Sequence, residues 1–453
     1  MRTTRHFVDV GSRRVHYRRC GEGPALLMVH QSPRSSTEYE SLMREWGKHF
    51  TCIAPDTPGF GQSDPLPDPA AEIDDFADAI IGLLDALGLR RVAAYGFHSG
   101  GIILVAALKR HPERFACLAV GGYAIWTQAE MALFSDRYLP PFLPSGYGEH
   151  LTWLWNRVLE QTWFFPWFAV APRYALSVAH ADLPRVDAVV RELLDSGDAY
   201  RVGYGAVLRA PRDIPPPETV TPPVRITAYD GDPLQEHIDR LGAMPASWSA
   251  AKVATPAEHQ ADSLAFLRAH PGDPADLVET SGEGFVAIEA GGFAGDIHWR
   301  GRAGGTLAVH APGSALELVN SGDGLAIDLP GHGLSAPAPS TIDWNAVIEA
   351  VATHFGCNRI VREPAPRGDS ARLFPDLTPD RFGAYLTAAW SVVRAAQLFD
   401  PWYEASAAHA RDFAPEALEP AALALRHRAL LRATGARAYC ETLQAMEDGD
   451  GNS

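Results

Sequence analysis

The stretch Gly96-Phe97-His98-Ser99-Gly100-Gly101 lies between a short apolar run and a second run with helical spacing. Glycines two residues before and two residues after His98 permit a turn so sharp that a side chain at either place would meet the neighbouring backbone. The pattern is that of a G-x-S-x-G corner between a strand and a helix, with histidine at the serine position. A register centred on Ser99 would put the Phe97 ring where a glycine is needed. The stretch therefore predicts an imidazole at the apex of a strand–turn–helix corner.

Strands and helices are predicted to alternate around this corner. Residues 25–29 and 51–54 are short, continuously apolar runs, as expected for strands buried on both faces. Residues 73–87 have the apolar spacing of an amphipathic helix, and residues 7–18 read as two strands around a turn at Gly11. This alternation predicts an α/β fold with a mostly parallel sheet covered by helices on both faces.

Composition limits the classes of protein to consider. A chain of 453 residues is too long for one ordinary core, and 46% apolar with 21% charged residues is typical of a globular protein. The net charge of −16 argues against a nucleic-acid or anionic-membrane partner. No run of about 18 apolar residues and no secretory leader is seen, and the five cysteines are scattered. We expect a cytoplasmic protein.

The sequence gives no sign of a metal or cofactor. The 17 histidines lack the spacing of a zinc-binding helix, and neither a P-loop nor a dinucleotide fingerprint follows a strand. We expect neither a metal nor a cofactor, and a small molecule as the binding partner.

Five segments in order resemble the α/β-hydrolase superfamily over about residues 7–270. They are the loop after His30, the turn at 56–63, the corner at 96–101, the strand end at 224–234 and the loop and helix at 257–267. The resemblance implies the α/β-hydrolase fold. It also implies a helical cap at about 124–215, where aromatic residues are frequent and would supply apolar walls.

The resemblance assigns catalytic positions. His98 occupies the nucleophile position, His259 the base position and Asp232 the acid position, with Asp230 as a rival acid. The alternative interpretation of His259 is a surface loop histidine.

The resemblance also places an oxyanion hole. Its donors would be the backbone N–H of Ser99 and that of Gln31 or Ser32, and the Gln31 side chain could contribute. Arg34 could hold a substrate carboxylate or phosphate, or be a solvated loop residue.

Three chemistries are open to His98. A neutral imidazole can attack a carbonyl directly, or His98 and His259 can act as an acid–base pair. The third possibility is an inactive site that only binds a ligand. The first two predict hydrolysis of an ester, thioester or C–C bond in a small, partly hydrophobic substrate, or a cofactor-independent lyase reaction.

The C-terminal part contains a second, incomplete copy of the same pattern. Residues 328–335 match residues 56–63 at the fixed positions, an offset of 272 (328 − 56). Eight later positions share an offset of 235 (383 − 148): Gly383, Leu386, Thr387, Trp390, Val393, Phe399, Pro401 and Trp402. About 37 residues are therefore missing, and no elbow follows the strand that ends at Val361.

Two domains are therefore predicted, a hydrolase domain at 1–272 and a truncated repeat with its own cap at 280–453. A half-sheet cannot bury both faces alone. We expect the repeat to dock on the first domain or to form a homodimer.

Overall fold

The computed structural model describes residues 1–134, 137–176, 182–211, 214–278 and 281–450. The chain divides into two compact units, residues 1–143 with 156–281, and residues 144–155 with 282–453. The sequence interpretation placed 144–155 in the first domain's cap, and the structure puts this segment in the second unit, where the Trp155 indole meets the Tyr385 ring. The predicted limits at 280 and 453 lie outside the described residues.

The first unit contains an eight-stranded sheet in the order β1-β2-β4-β3-β5-β6-β7-β8. All pairs from β4 to β8 are parallel, whereas β1, β2 and β4 pair antiparallel. The unit thus has the α/β-hydrolase fold. The strands are β1 Thr4–Val10, β2 Arg13–Cys20, β3 Ala25–Val29, β4 Thr51–Pro55, β5 Val92–Phe97, β6 Phe115–Gly121, β7 Val224–Tyr229 and β8 Trp248–Val253.

Helices cover both faces of this sheet. In β3, Leu27 and Val29 belong to one buried apolar cluster and Leu26 and Met28 to another, which confirms the prediction of a strand buried on both sides. The helices before residue 282 are α1 Glu40–Trp46, α2 Ile73–Ala86, α3 Ser99–Arg110, α4 Gln128–Phe134, α5 Glu149–Gln161, α6 Leu183–Ser196, α7 Tyr200–Arg209 and α8 Pro256–Ala269. The part of α5 up to Trp155 belongs to the second unit. Among the described residues, no helix is long and apolar enough to cross a membrane.

The second unit contains a five-stranded sheet in the order β13-β11-β12-β10-β9. Its strands are β9 Glu283–Ala290, β10 Phe293–Gly301, β11 Gly305–Val309, β12 Leu325–Ile327 and β13 Cys357–Arg362. Its helices are α9 Trp344–His354, α10 Ser370–Leu373, α11 Ala384–Ala395, α12 Pro420–Leu431 and α13 Ala436–Asp450. Trp344 of α9 and Tyr439 of α13 join the apolar cluster of this sheet. The order corresponds strand by strand to β5-β3-β4-β2-β1 of the first unit.

Buried hydrogen bonds also correspond between the sheets. In the first unit His16 Nδ1 lies 2.8 Å from Asp56 Oδ2, and in the second His298 Nδ1 lies 2.7 Å from Asp328 Oδ2. Asp56 follows β4, and Asp328 follows β12, the corresponding strand of the second sheet. These are the turns in which residues 56–63 and 328–335 match. The same polar pair therefore fixes the same turn in each sheet.

Within the second unit, the segment 144–155 makes reciprocal contacts with α11 and the residues just before it. The indole N–H of Trp155 donates to the carbonyl of Arg381 (3.2 Å), and that of Trp390 donates to the carbonyl of Gly146 (3.3 Å). Both indoles are almost fully buried. Because the donors and the acceptors are each separated by 235 positions (390 − 155 and 381 − 146), the contact has a local two-fold character.

Candidate active site

His98 stands at the apex of the corner between β5 and α3. Its φ of 47° makes it the one described residue other than glycine with a positive φ. A Cβ added at Gly100 would lie 1.9 Å from the carbonyl oxygen of Val29, and one at Gly96 would lie 2.6 Å from Gly100. The glycines predicted to flank the apex are thus required by close approach of the backbone.

The imidazole of His98 is paired with the carboxylate of Asp232, which follows β7. His98 Nε2 lies 3.0 Å from Asp232 Oδ1, and the Leu234 N–H also donates to this oxygen (2.8 Å). The Asp232 side chain is fully buried, whereas that of His98 is 21% exposed. Burial raises the pKa of Asp232, but the His98 ring and the Leu234 N–H outweigh it and hold the pKa below its ordinary value.

Two glycines at the end of β6 make room for the histidine rings. A Cβ at Gly122, whose φ is +61°, would lie 2.7 Å from His98 Cδ2. A Cβ at Gly121 would lie 2.9 Å from Cε1 of His259. Sequence reasoning missed this pair, and the signal for it was a Gly-Gly dipeptide directly after an apolar strand.

His259 binds elsewhere than predicted. Its Nδ1 lies 2.6 Å from Thr227 Oγ1 and its Nε2 lies 2.9 Å from the Tyr95 hydroxyl. Since both ring nitrogens are engaged, His259 makes no hydrogen bond to His98 or Asp232 in the described part of the chain. The acid–base pair of His98 and His259 stays a prediction. Burial, assisted by the nearby His98, lowers the pKa of His259 to about 4 against the opposing pull of Asp232.

The two imidazoles line different cavities. His98 lines a pocket of about 50 Å³, whereas His259 lines a larger, more polar cavity of about 420 Å³. The Phe97 ring stacks on His98 at 4.1 Å between centroids and meets the His259 ring at 5.8 Å. Phe97 thus packs against both rings, and nothing in the sequence distinguished it from an ordinary strand residue.

Two of the N–H groups predicted to bind an oxyanion donate instead to other side chains. The Ser32 N–H donates to Ser99 Oγ (2.6 Å), and the Gln31 N–H and side-chain amide both donate to Glu38. The Ser99 N–H, at the start of α3, has no acceptor among the described residues. Because Ser99 Oγ accepts from Ser32, its own proton can be donated into the pocket that it lines.

Arg34 forms an ion pair with Glu192. Its Nε lies 2.5 Å from Glu192 Oε2 on α6, and both side chains are mostly buried. The Glu192 carboxylate also accepts from the Ser35 hydroxyl (2.7 Å). Arg34 is therefore not a solvated loop residue but joins the loop after β3 to α6. Its predicted binding of a substrate anion stays a prediction.

The pocket at His98 is mostly apolar. Its walls come largely from α3 and from the predicted cap region, and Gln31, Ser32, His98 and Ser99 contribute polar groups near the corner. The larger apolar lining residues are Ile102, Trp126, Tyr138, Phe165, Val207 and Leu208. A small ligand with an apolar part fits such walls.

Comparisons with known proteins agree with this fold. Residues 24–137 match the family model described as alpha/beta hydrolase fold. The chain is 31% identical over 125 residues to haloalkane dehalogenase 2 of Mycobacterium tuberculosis, which covers 28% of this chain and 44% of that protein. It is 36% identical over 107 residues to 2-hydroxymuconate semialdehyde hydrolase of a Pseudomonas species, covering 23% of this chain and 38% of that protein.

The matched stretch spans less than half the length of either relative. Epoxide hydrolase A from Mycobacterium thermoresistibile is a similar solved structure. It is 17% identical with a TM-score of 0.46, and the alignment covers 62% of this chain and all of that one.

Proposed function

We propose that the first unit, which carries the α/β-hydrolase fold, is a hydrolase whose reacting groups are His98 and Asp232. The observation that supports this most is the 3.0 Å contact between His98 Nε2 and a fully buried carboxylate. A partner on Nε2 selects the neutral tautomer with its proton on that nitrogen. The lone pair then lies on Nδ1, which has no hydrogen-bond partner among the described residues.

In the proposed reaction His98 acts as a general base. Nδ1 takes a proton from water, the resulting hydroxide attacks the substrate carbonyl, and Asp232 stabilises the imidazolium formed. When the tetrahedral intermediate collapses, the imidazolium returns the proton to the leaving group. Water is thereby added across the cleaved bond and the enzyme is restored without a cofactor.

Ser99 is proposed to bind the oxyanion. Its N–H lies at the N-terminus of α3, where the helix dipole favours negative charge. Its hydroxyl, oriented by the Ser32 N–H, is the second donor. In this proposal Ser32 acts through Ser99, and Gln31 is held by Glu38 away from that role.

His259 is proposed to be a structural neighbour of the dyad. With its pKa near 4 it is neutral at pH 7, and Tyr95 and Thr227 fix its ring. It therefore supports the wall behind Phe97 and takes no proton during the reaction.

The proposed substrate is a small ester, thioester or ketone with an apolar part. The aromatic and aliphatic walls around His98 support the apolar part.

Hydrolysis of p-nitrophenyl esters with acyl chains of two to six carbons tests this proposal. We expect His98→Ala and Asp232→Asn each to lower kcat/KM by about 100-fold or more, the usual contribution of a general base. The matched control is Asp230→Asn, because Asp230 is exposed two positions away and should be dispensable. Loss of activity in Asp230→Asn but not in Asp232→Asn would contradict the assignment.

The covalent and binding-only alternatives give different results in the same experiment. An acyl adduct on His98 in acid-quenched reactions would identify it as a nucleophile. A wild-type protein that binds esters but turns none of them over would favour a ligand-binding function.

We also propose that the second unit is a truncated repeat of the first. The matching strand order and the matched pairs His16–Asp56 and His298–Asp328 support this. β13 ends at Arg362 and the chain continues as Glu363-Pro-Ala-Pro without an elbow, so the repeat has no counterpart of His98.

A further inference from the structure

The second unit contains a cavity of its own, with a volume of about 340 Å³. It is bounded by the loop after β11, the segment after β13, and helices α11 and α12. Most of its wall is apolar, contributed chiefly by Leu318, Leu373, Phe374, Val392, Trp402 and Leu430. A cavity of this size and composition is within the range of small-molecule sites.

One cation lines this apolar cavity. Arg426 of α12 is half-buried, and its Nη1 donates to the Ala422 carbonyl (3.2 Å), one turn earlier in the same helix. Among the described residues, no carboxylate lies within ion-pair distance of this guanidinium. Its remaining N–H groups are free for a ligand, and a guanidinium binds a carboxylate with two parallel hydrogen bonds.

The other polar groups limit the charge of the ligand. Glu363 also lines the cavity, and one of its oxygens accepts the Ala311 N–H (3.0 Å). A second negative charge on the ligand would be repelled by this carboxylate, while a single one can be held by Arg426. Gln397 uses its amide N–H on the Val393 carbonyl (3.2 Å), which leaves its oxygen as an acceptor.

We propose that this cavity binds a monocarboxylate with an apolar tail, the carboxylate on Arg426 and the tail against α11 and the Leu430 side of α12. The described lining includes neither histidine nor cysteine, and its one hydroxyl is that of Ser314. The site therefore holds its ligand without transforming it. This inference concerns the second unit alone and does not depend on hydrolysis in the first.

Octanoate binding to the full chain, measured by isothermal titration calorimetry, tests the proposal. We expect saturable binding to the wild type and a loss of about tenfold or more in Arg426→Gln, because a charged hydrogen-bonded pair is removed. 1-Octanol should bind wild type and Arg426→Gln equally, and octanedioate should bind the wild type more weakly than octanoate. Arg428→Gln is the matched control, since it removes the same charge from the same helix outside the cavity.

Two further variants locate the ligand. Arg426→Lys should recover part of the octanoate affinity, because the charge is restored without the planar fork. Val393→Trp should fill the cavity and abolish binding of both octanoate and 1-octanol, with thermal unfolding used to verify that the variant is folded. The proposal is overturned by absent octanoate binding in the wild type, by unchanged affinity in Arg426→Gln or Val393→Trp, or by an equal loss in Arg428→Gln.

Discussion

At the scale of single residues, the reacting dyad depends on the absence of side chains next to it. Gly122 faces the His98 ring, and Gly96 and Gly100 leave space for the backbone of the corner. Each glycine removes a Cβ that would otherwise displace the imidazole or the strand before it. The position of His98 is therefore set by its neighbours as much as by its own side chain.

Gly122→Ala is expected to impair catalysis beyond its effect on stability. The new Cβ would lie 2.7 Å from His98 Cδ2 and 3.2 Å from Asp232 Oδ2, so the dyad must shift. Gly11→Ala is the control, because Gly11 has nearly the same φ (+62°) and nothing within 4 Å of the added Cβ. Both variants should lose about 1 kcal/mol of unfolding free energy from the left-handed backbone, but only Gly122→Ala should lose esterase activity. Equal activity in the two variants would count against the dyad.

His259 should make the folded chain sensitive to acid. Its folded pKa of about 4 lies below the unfolded value of about 6.5, so the unfolded state binds more protons between these values. Stability from this group is complete above pH 6.5 and falls as the pH drops toward 4, by about 3 kcal/mol in all.

The urea-unfolding free energy of wild type and His259→Gln across pH 4 to 7 measures this contribution. Glutamine can still bind Thr227 and Tyr95 but does not titrate, so the variant should have the shallower pH slope. Parallel slopes would show that His259 does not carry this proton linkage.

The sequence predicted the positions of His98 and Asp232 but not the partners of His259. A spacing pattern identifies which strand ends meet at one edge of a parallel sheet. It does not tell which of several nearby polar groups a buried ring will bind. Tyr95 on β5 and Thr227 on β7 compete with Asp232 for His259, and side-chain packing decides that competition.

At the scale of secondary structure, the reciprocal contact between α5 and α11 is set by the glycines before each helix. A Cβ at Gly383 would lie 2.4 Å from Trp155 Cγ, and one at Gly148 would lie 2.9 Å from Trp390 Cγ. Each indole therefore lies flat against the backbone that starts the other helix. The offset of 235 indicated that these residues correspond, but correspondence alone does not imply contact.

Gly383→Ala should destabilise the second unit more than Gly356→Ala. Both positions have a positive φ, +68° and +64°, but the Cβ at Gly356 would meet nothing within 4 Å. The shared backbone strain is about 1 kcal/mol, and displacing Trp155 should add roughly 1–3 kcal/mol of overpacking to Gly383→Ala alone. Thermal unfolding of the full chain compares them, and identical melting temperatures would argue against close packing of Trp155 on Gly383.

At the scale of the whole molecule, the two units are not consecutive in sequence. Residues 144–155 are part of the second unit, although sequence on both sides of them belongs to the first. Motifs could predict a boundary between residues 272 and 280, because they follow the chain. Motifs could not predict that residues 144–155 belong to the second unit, since this depends on side-chain packing and not on position in the chain.

The polypeptide 282–453 is therefore expected not to fold cooperatively alone. Without residues 144–155, the buried Trp390 of α11 would lose the carbonyl that accepts its indole N–H. Fusion of residues 144–155 to its N-terminus through a flexible linker should restore a cooperative thermal transition by circular dichroism. A sharp transition of the same midpoint without the fused segment would contradict this expectation.

The pairing of His98 with Asp232 is tested most directly by the ring tautomer of His98. Two-bond ¹H–¹⁵N NMR spectra of histidine-labelled protein at pH 7 distinguish the two nitrogens. We predict a protonated Nε2 and an unprotonated Nδ1, with the Nε2 proton signal shifted in Asp232→Ala. A ring protonated on Nδ1, or one whose signals are unchanged by Asp232→Ala, would contradict the pairing and with it the proposed reaction.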